Sequence, residues 1–447
     1  MRVLIIGAGA VGFHLASRLA RESQEVVLVD PDPEKVQHAM DNLDVLAVRG
    51  NGASLPILKE AGLTQADLLM AVSGSDEANL LACLAAARAG VRVKVARVRH
   101  PEHYAPGALL SRMDLGVDLF ISPEQECALE VFQLLATEAA TDLARFAGGK
   151  VQLLGIRIRP GAPVEGKTLA ALDREFEGHR FTLVAVVKGD ETLIPRGETV
   201  VGAGDKVYVM TAADDVPAVA PLAGYDPVRL RRVMIAGGSS EAEYLAGHLQ
   251  DHGVACTILV RDPLRARELA ERLPKTLILN ADPTDLELLQ MEGVEDVDGF
   301  VALTERDEVN MLVALLAKSA GARRVIPLVH RTEYTALVDR VGLDAVVSPR
   351  ISAANAILRY IRRGAVASVA TVRGSEAEAL EAVITGGSRL VGQRVRDVKF
   401  PEGAILGALI RRGRVIMPRG RDLVEEGDHA VFFVLPGTQA ALGRLLD

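Results

Sequence analysis

The sequence has no tryptophan, and aromatic residues make up only 4% of its 447 positions. That leaves little material for the stacking platforms that hold single-stranded nucleic acid. An excess of positive charge is also missing. The formal net charge is −8, whereas a broad nucleic-acid face needs basic residues to displace counterions, so no nucleic-acid partner is expected. Cysteine is scarce and odd in number. Cys83, Cys127 and Cys256 are scattered, which argues against a CxxC metal or redox site and suits a reducing compartment. No run approaches the ~18 apolar residues of a membrane helix. The apolar N-terminus does not read as a signal peptide, because its hydrophobic stretch is a strand followed by a glycine turn. A cytosolic protein is expected. No His/Cys/Asp/Glu spacing resembles a metal site, and His248, His252 and His330 read as solvated or capping residues. Gly161–Lys167 lacks the glycine spacing of a P-loop.

What is present is organised around Arg2–Asp30. An apolar run, Val3–Ile6, breaks at Gly7-Ala8-Gly9-Ala10-Val11-Gly12 and passes into a helix with Val11, Leu15 and Leu19 on one face. A second apolar run, Val26–Val29, stops on Asp30. Strand, G-x-G-x-x-G turn, helix, strand and acid stand in the order a dinucleotide site needs. Gly7 permits the tight turn, Gly9 lets a pyrophosphate approach the backbone, and Gly12 lets the helix lie close to the strand. Phosphates would rest on the helix N-terminus. Asp30 would accept hydrogen bonds from ribose hydroxyls and repel a 2′-phosphate.

The chain also repeats itself. Arg232-Val233-Met234-Ile235-Ala236-Gly237 answers Arg2–Gly7, and Thr304–Met311 answers Ser73–Leu80. Further on, Met417-Pro418-Arg419-Gly420 answers Ile194–Gly197, and Gly427-Asp428 answers Gly204-Asp205. Such self-similarity marks a tandem duplication. Helices and strands alternate from Arg2 to Ile121, including a helix expected over about 102–113, which predicts a doubly wound parallel sheet. Its ligand would lie beyond the strand ends, at Gly7–Gly12, after Asp30 and at Ser73–Ser75. Ser122-Pro123-Glu124 opens a long helix expected to reach about Leu143, and Ser348-Pro349-Arg350 opens its counterpart. The pattern then changes to short strands with turns, a small α+β module whose second copy is expected to carry its helix over 390–398. The stretch 213–229 is the best linker candidate between the halves. The expected domains are 1–121, a helix over 122–143, 144–225, 230–347, a helix over 348–364, and 365–447.

Gly7–Gly12, Asp30, Gly50-Asn51-Gly52, Ala66-Asp67 leading to Ser73–Asn79, and Ala96-Arg97-Val98-Arg99 ending at Tyr104 together resemble the RCK module. Two such modules, each with a small C-terminal partner, resemble the TrkA family of gating subunits of the bacterial Trk potassium-uptake system. The resemblance covers essentially the whole chain. It implies tandem Rossmann-like RCK N domains with RCK C-type domains, and a nucleotide-responsive ring without chemistry of its own, a homotetramer. That ring would sit on the cytoplasmic face of a Trk-type membrane channel subunit. NAD(H) and ATP or ADP are the implied ligands. Carried over by motif position, Gly7, Ala8, Gly9, Ala10 and Val11 lie at the phosphates and Asp30 at the ribose. Ser73 and Gly74 lie near the nucleoside and Arg97 at a strand end, with ligand contact in that loop limited to Ser73–Ser75.

Each assignment has a plainer reading beside it. Asp76, Glu77 and Asn79 recur as Asp307, Glu308 and Asn310 although the second glycine loop does not, so they read as capping or packing residues. Arg97 reads equally as a surface ion pair. Arg359, Arg362 and Arg363 suit a helix C-terminus. In the second half, Ser239 and Ala242 replace two glycines, Leu328 falls at the place of Arg97, and Arg261 is expected at the place of Asp30. The second module is therefore expected to be degenerate. A rival function, an NAD-dependent oxidoreductase with a duplicated Rossmann domain, would need an acid/base group brought to the nicotinamide. The segment 144–212 offers no evident constellation of that kind.

Overall fold

The computed structural model describes residues 1–447 except 23, 101–108, 138, 176–180, 190, 227–228, 362–365, 372–376 and 447. Among the described residues the strands form four sheets. The chain divides into two compact units, Met1–Cys127 with Ser348–Ile361, and Ala128–Val347 with 362–447.

The first unit alternates β1 (Arg2–Ile6), α1 (Ala10–Arg21), β2 (Glu25–Asp30), α2 (Pro33–Asn42), β3 (Leu46–Arg49), α3 (Leu55–Glu60), β4 (Leu68–Ala71), α4 (Asp76–Arg88), β5 (Val93–Arg97) and β6 (Leu119–Ile121). Its parallel sheet has the order β3-β2-β1-β4-β5-β6, the doubly wound arrangement expected. Side chains alternate across each strand, so Val3 and Ile5 enter the core on one face while Leu4 and Ile6 enter the core on the other. The helix expected over 102–113 does not extend over 109–113, and the rest of it, with Tyr104, lies outside the described residues.

The long helix after Ser122, α5 (Pro123–Ala136), is shorter than expected. Residues 140–143, expected as its last turn, belong instead to the strand β7 (Ala140–Phe146), which pairs antiparallel with β8 (Val151–Arg157). With α6 (Leu169–Glu175), β9 (Phe181–Lys188), β10 (Glu191–Leu193), β11 (Lys206–Ala212) and α7 (Val216–Val219) they make the first small domain, ordered β10-β9-β11-β8-β7. Most of the expected linker belongs to this domain. Val219 and Ala223 are buried, and Arg159 N–H donates to the Ala223 carbonyl at 3.1 Å.

The second half repeats the plan with β12 (Arg232–Ala236), α8 (Ser240–Asp251), β13 (Ala255–Val260), α9 (Pro263–Arg272), β14 (Leu277–Asn280), α10 (Leu286–Met291), β15 (Gly299–Ala302), α11 (Asp307–Ser319), β16 (Val325–Pro327), α12 (Thr332–Arg340) and α13 (Pro349–Ile361). It closes with β17 (Val366–Thr371), β18 (Glu378–Val383), β19 (Ala404–Arg411), β20 (Arg414–Ile416), β21 (His429–Val434) and α14 (Gln439–Leu446). The antiparallel order β17-β18-β21-β19-β20 matches that of the first half strand for strand, and the parallel order β14-β13-β12-β15-β16 repeats the first five strands, with an isolated parallel bridge between Leu328 and Val347 where the first half has β6. The region 390–398, expected as a helix, holds one short turn of 3-10 helix at Val395–Asp397. The two antiparallel sheets share a core in which Phe146, Tyr208 and Met210 meet Ala408, Val431 and Phe433.

The helix α13 lies far from the first half in sequence but packs on its first helix. Ala353, Ala354, Ile357 and Leu358 complete the core around Leu15 and Leu19, and Tyr360 Oη donates to the Asp118 carbonyl at 3.0 Å. Residues of α5 from Ala128 onward belong to the second unit, where the Phe132 ring lies 4.4 Å from that of His252. There Arg324 caps the end of α5, donating to the Thr137 carbonyl at 3.0 Å. A guanidinium suits the exposed carbonyls and the negative pole of a helix C-terminus.

Candidate nucleotide site

Loops following all of β1 to β5 meet at one end of the first parallel sheet, and the glycines there are of two kinds. Gly7 has φ +103°, and a Cβ on it would lie 2.7 Å from the Ser73 Cα. A Cβ on Gly12 would collide with the Gly7 carbonyl oxygen, and one on Gly52 with Ile6. These positions are glycine because the backbone is closely packed. Gly9 and Gly74 differ, since a Cβ on either would meet no protein atom within 4 Å.

Gly9 is also the N-cap of α1, and no side chain caps that helix. Its first-turn N–H groups are therefore donors without a side-chain acceptor, at the positive pole of the helix dipole. Asp30, 6% exposed, ends β2 beside them. Its Oδ2 accepts from Ala8 N–H at 2.7 Å and its Oδ1 from Asp32 N–H at 2.9 Å. A carboxylate has about four acceptor sites, so both oxygens retain capacity.

A cavity of about 740 Å³ opens over this end of the sheet. Gly7, Gly9, Ala10, Val11, Asp30, Ser73, Gly74, Ser75 and Arg97 line it. Ala8 and Gly12, also expected at the site, are not in the lining. Ala8 contributes its N–H to Asp30, and Gly12 lies under the loop against Gly7. Lys35, Asn51, Gly52, Ala53 and Leu81, not assigned to the site from the sequence, line the cavity as well, and so does Glu77, expected only as a capping or packing residue. The turn Gly50-Asn51-Gly52 was the available signal, because Gly52 is required where the chain passes Ile6.

The plainer readings of several residues have a structural basis. Asn79 Oδ1 accepts from Ser73 N–H at 3.0 Å, and its Nδ2 donates to the Arg97 carbonyl at 2.9 Å, tying two strand ends together. Asp76 Oδ2 accepts from the N–H groups of Arg99 and His100 at 2.9 and 3.0 Å. Ser75 does two things: its Oγ caps α4 by accepting from Ala78 N–H at 3.1 Å, and it lines the cavity. Arg97 is both a lining residue and half of an ion pair, 3.0 Å from Glu124.

The second half keeps this scaffold and loses the ligand features. Asn310 spans Thr304 N–H and the Leu328 carbonyl at 2.8 and 3.0 Å, as Asn79 does. Asp307 accepts from the His330 and Arg331 N–H groups. Burial alone would raise its pKa, but these bonds and the His330 ring outweigh burial and hold its carboxyl below the usual range. Ser239 occupies the place of Gly9, and its own Oγ accepts from Ala242 N–H at 3.3 Å. One expectation needs correcting. Gly7 N–H bonds to the Val29 carbonyl and Gly237 N–H to the Leu259 carbonyl, so Val260, not Arg261, stands where Asp30 does. Arg261 lies one residue further, largely exposed, 3.5 Å from Asp282. Arg265 reaches across the loop, its Nε donating to the Gly238 carbonyl and its Nη2 to Glu243, both at 2.8 Å.

The first cavity fits a nucleotide on its own geometry. Its volume lies in the range of small-molecule sites, its helix N-terminus faces open space where Gly9 has no side chain, and a buried carboxylate stands at the β2 end. Among the described residues no group of three or more His, Cys, Asp or Glu is placed to hold a metal ion, and all three cysteines are buried.

The family model of the TrkA-N domain matches residues 3–123 and 233–349, and that of the TrkA-C domain matches 153–224 and 379–447. The Trk system potassium uptake protein TrkA of Halomonas elongata is 35% identical over 439 residues, 97% of this chain and 96% of its own. TrkA homolog 1 of Methanosarcina mazei is 36% identical over 442 residues, 97% of either chain. Among solved structures, the GsuK channel bound to NAD superimposes with a TM-score of 0.60 at 18% identity, covering 100% of this chain and 78% of that one. The GsuK RCK domain gives 0.60 at 17% identity, covering 100% and 94%. At these identities the likeness is one of fold.

Proposed function

The chain belongs to the TrkA family, whose models match both of its halves, and on that premise we propose that it is the nucleotide-sensing gating subunit of a membrane potassium-uptake system. The observation that carries the reading is the first cavity, where the uncapped start of α1 and the carboxylate of Asp30 face one open space. NAD(H) and ATP or ADP are the proposed ligands. The helix start would hold their phosphates, and Asp30 would accept from the ribose hydroxyls and disfavour a 2′-phosphate. Arg97 and Lys35 add positive charge to the same wall.

The proposed role is regulatory, with no chemistry of its own. The partner is a Trk-type membrane subunit, met at the inner face of the membrane by a homo-oligomer, a tetramer by family resemblance. Among the described residues no helix is long and apolar enough to cross a membrane, so in this reading the K⁺ path belongs to the partner. Gating requires that nucleotides bind two conformations with different affinity, since equal affinity shifts nothing.

The test is calorimetric titration of the purified chain with NAD⁺, NADH, ATP and ADP, followed by K⁺ flux through the partner in vesicles. Saturable binding to about one site per chain, with flux that changes on nucleotide addition only when the chain is present, supports the reading. Flux indifferent to nucleotide sinks it.

A further inference from the structure

Arg97 closes the cavity at the end of β5, and its Nη2 donates to Glu124 Oε1 at 3.0 Å in the first turn of α5. The two side chains are 21% and 16% exposed, so the pair is largely shielded from water. The other carboxylate oxygen of Glu124 accepts from Ser122 Oγ at 3.1 Å, which makes the first turn of α5 a small polar clamp. Arg97 Nε is buried without a hydrogen-bond partner. A guanidinium carries five N–H donors, so this one stands between a carboxylate and the cavity with donors to spare.

The duplicated half serves as an internal control. Leu328 stands in the place of Arg97, as the matching bonds from Asn79 and Asn310 establish. Arg350, in Ser348-Pro349-Arg350, stands in the place of Glu124. Both members of the pair are absent from the half in which Val260 has replaced Asp30. A pair that merely anchored the helix would have no reason to vanish together with the ligand features.

We propose that Arg97 and Glu124 form a switch, in which a phosphate of the bound nucleotide competes with Glu124 for the guanidinium. This rests on the reading that the first cavity holds a phosphorylated nucleotide. Occupancy and anchoring of the first turn of α5 are then opposed, and by linkage each weakens the other by the same factor. The chain passes from the first unit to the second along α5, so the competition acts where that connection begins.

The test is titration of the full chain with ATP and with adenosine, which lacks phosphate, in wild type, Glu124→Gln, Arg97→Gln and the double variant. Unfolding scans without ligand confirm that each variant folds. Glu124→Gln should tighten ATP binding about two- to fivefold, the range for one charge pair, and leave adenosine unchanged. Arg97→Gln should weaken ATP alone, and adding Glu124→Gln to it should change nothing further. Amides of residues 124–127 should exchange faster with ATP in wild type and not in Arg97→Gln. ATP affinity unchanged or weakened in Glu124→Gln, or an effect that persists without Arg97, overturns the switch while leaving the nucleotide reading intact. A wild-type chain that binds neither ligand overturns the nucleotide reading itself.

Discussion

Val260 holds in the second half the position that Asp30 holds in the first, one residue past a carbonyl that accepts from the first glycine of the loop. That exchange, Ser239 in place of Gly9 and Leu328 in place of Arg97 set the halves apart as ligand sites. The expected stoichiometry is one nucleotide per chain. Asp30→Ala should lower affinity by about tenfold or more, the loss of a charged hydrogen-bond acceptor. Calorimetry that finds two equivalent sites, or binding indifferent to Asp30, contradicts this.

The two kinds of glycine predict two kinds of variant. A Cβ at Gly9 meets no protein atom, so Gly9→Ala should cost no more than about 1 kcal/mol of stability, as an alanine at an N-cap does, yet sharply weaken nucleotide binding. Gly12→Ala forces a methyl against the Gly7 carbonyl and should cost about 1–3 kcal/mol from crowding. Denaturant unfolding beside calorimetry separates the two. Equal stability losses would mean that Gly9 is a packing residue.

Asn79 and Asn310 make the same bonds in the two halves, only one of which has the ligand features. Asn79→Ala and Asn310→Ala should therefore destabilise by similar amounts, about 1–3 kcal/mol, because each strands buried polar groups. A large loss from Asn79→Ala alone would assign that residue to the ligand instead.

Stability should fall in mild acid. Burial, with the charges of Arg18, Arg350 and Arg21, lowers the His14 pKa from 6.5 to about 4. Above pH 6.5 the residue is neutral in both states and contributes nothing to the slope. Between pH 6.5 and 4 the unfolded chain takes up the proton first, so stability declines as pH falls through that window. Unfolding midpoints of His14→Gln should decline less steeply across it. Parallel curves for variant and wild type would refute the assignment.

The first strand, glycine turn, helix and second strand were legible because each signal there is local: an apolar run, a φ that glycine favours, an acid at a strand end. The off-by-one placement of Arg261 shows where local reading stops. Leu259-Val260 looks like Leu28-Val29, and only the hydrogen bonds to Gly7 and Gly237 set the register. Residues 140–143 read as helix because their partner strand lies further along the chain, and pairing with β8 outweighs propensity. Lys35 and the turn at Asn51 were missed for a related reason. The rule that ligands sit at a switch point names whole loops, the one after β2 among them, and only the assembled sheet shows that Lys35 beyond that loop and the turn after β3 reach the same space.

The first unit closes with a helix from the second half of the chain, which sets an order of events during synthesis. When residue 127 leaves the ribosome, the apolar face around Leu15 and Leu19 still lacks Ala353, Ile357 and Leu358. At roughly 5–20 residues per second that face waits on the order of ten to fifty seconds for α13 to emerge. A nascent chain, or a fragment cut between the halves, therefore carries a first unit whose core is unfinished, and that core closes only once translation has passed residue 361.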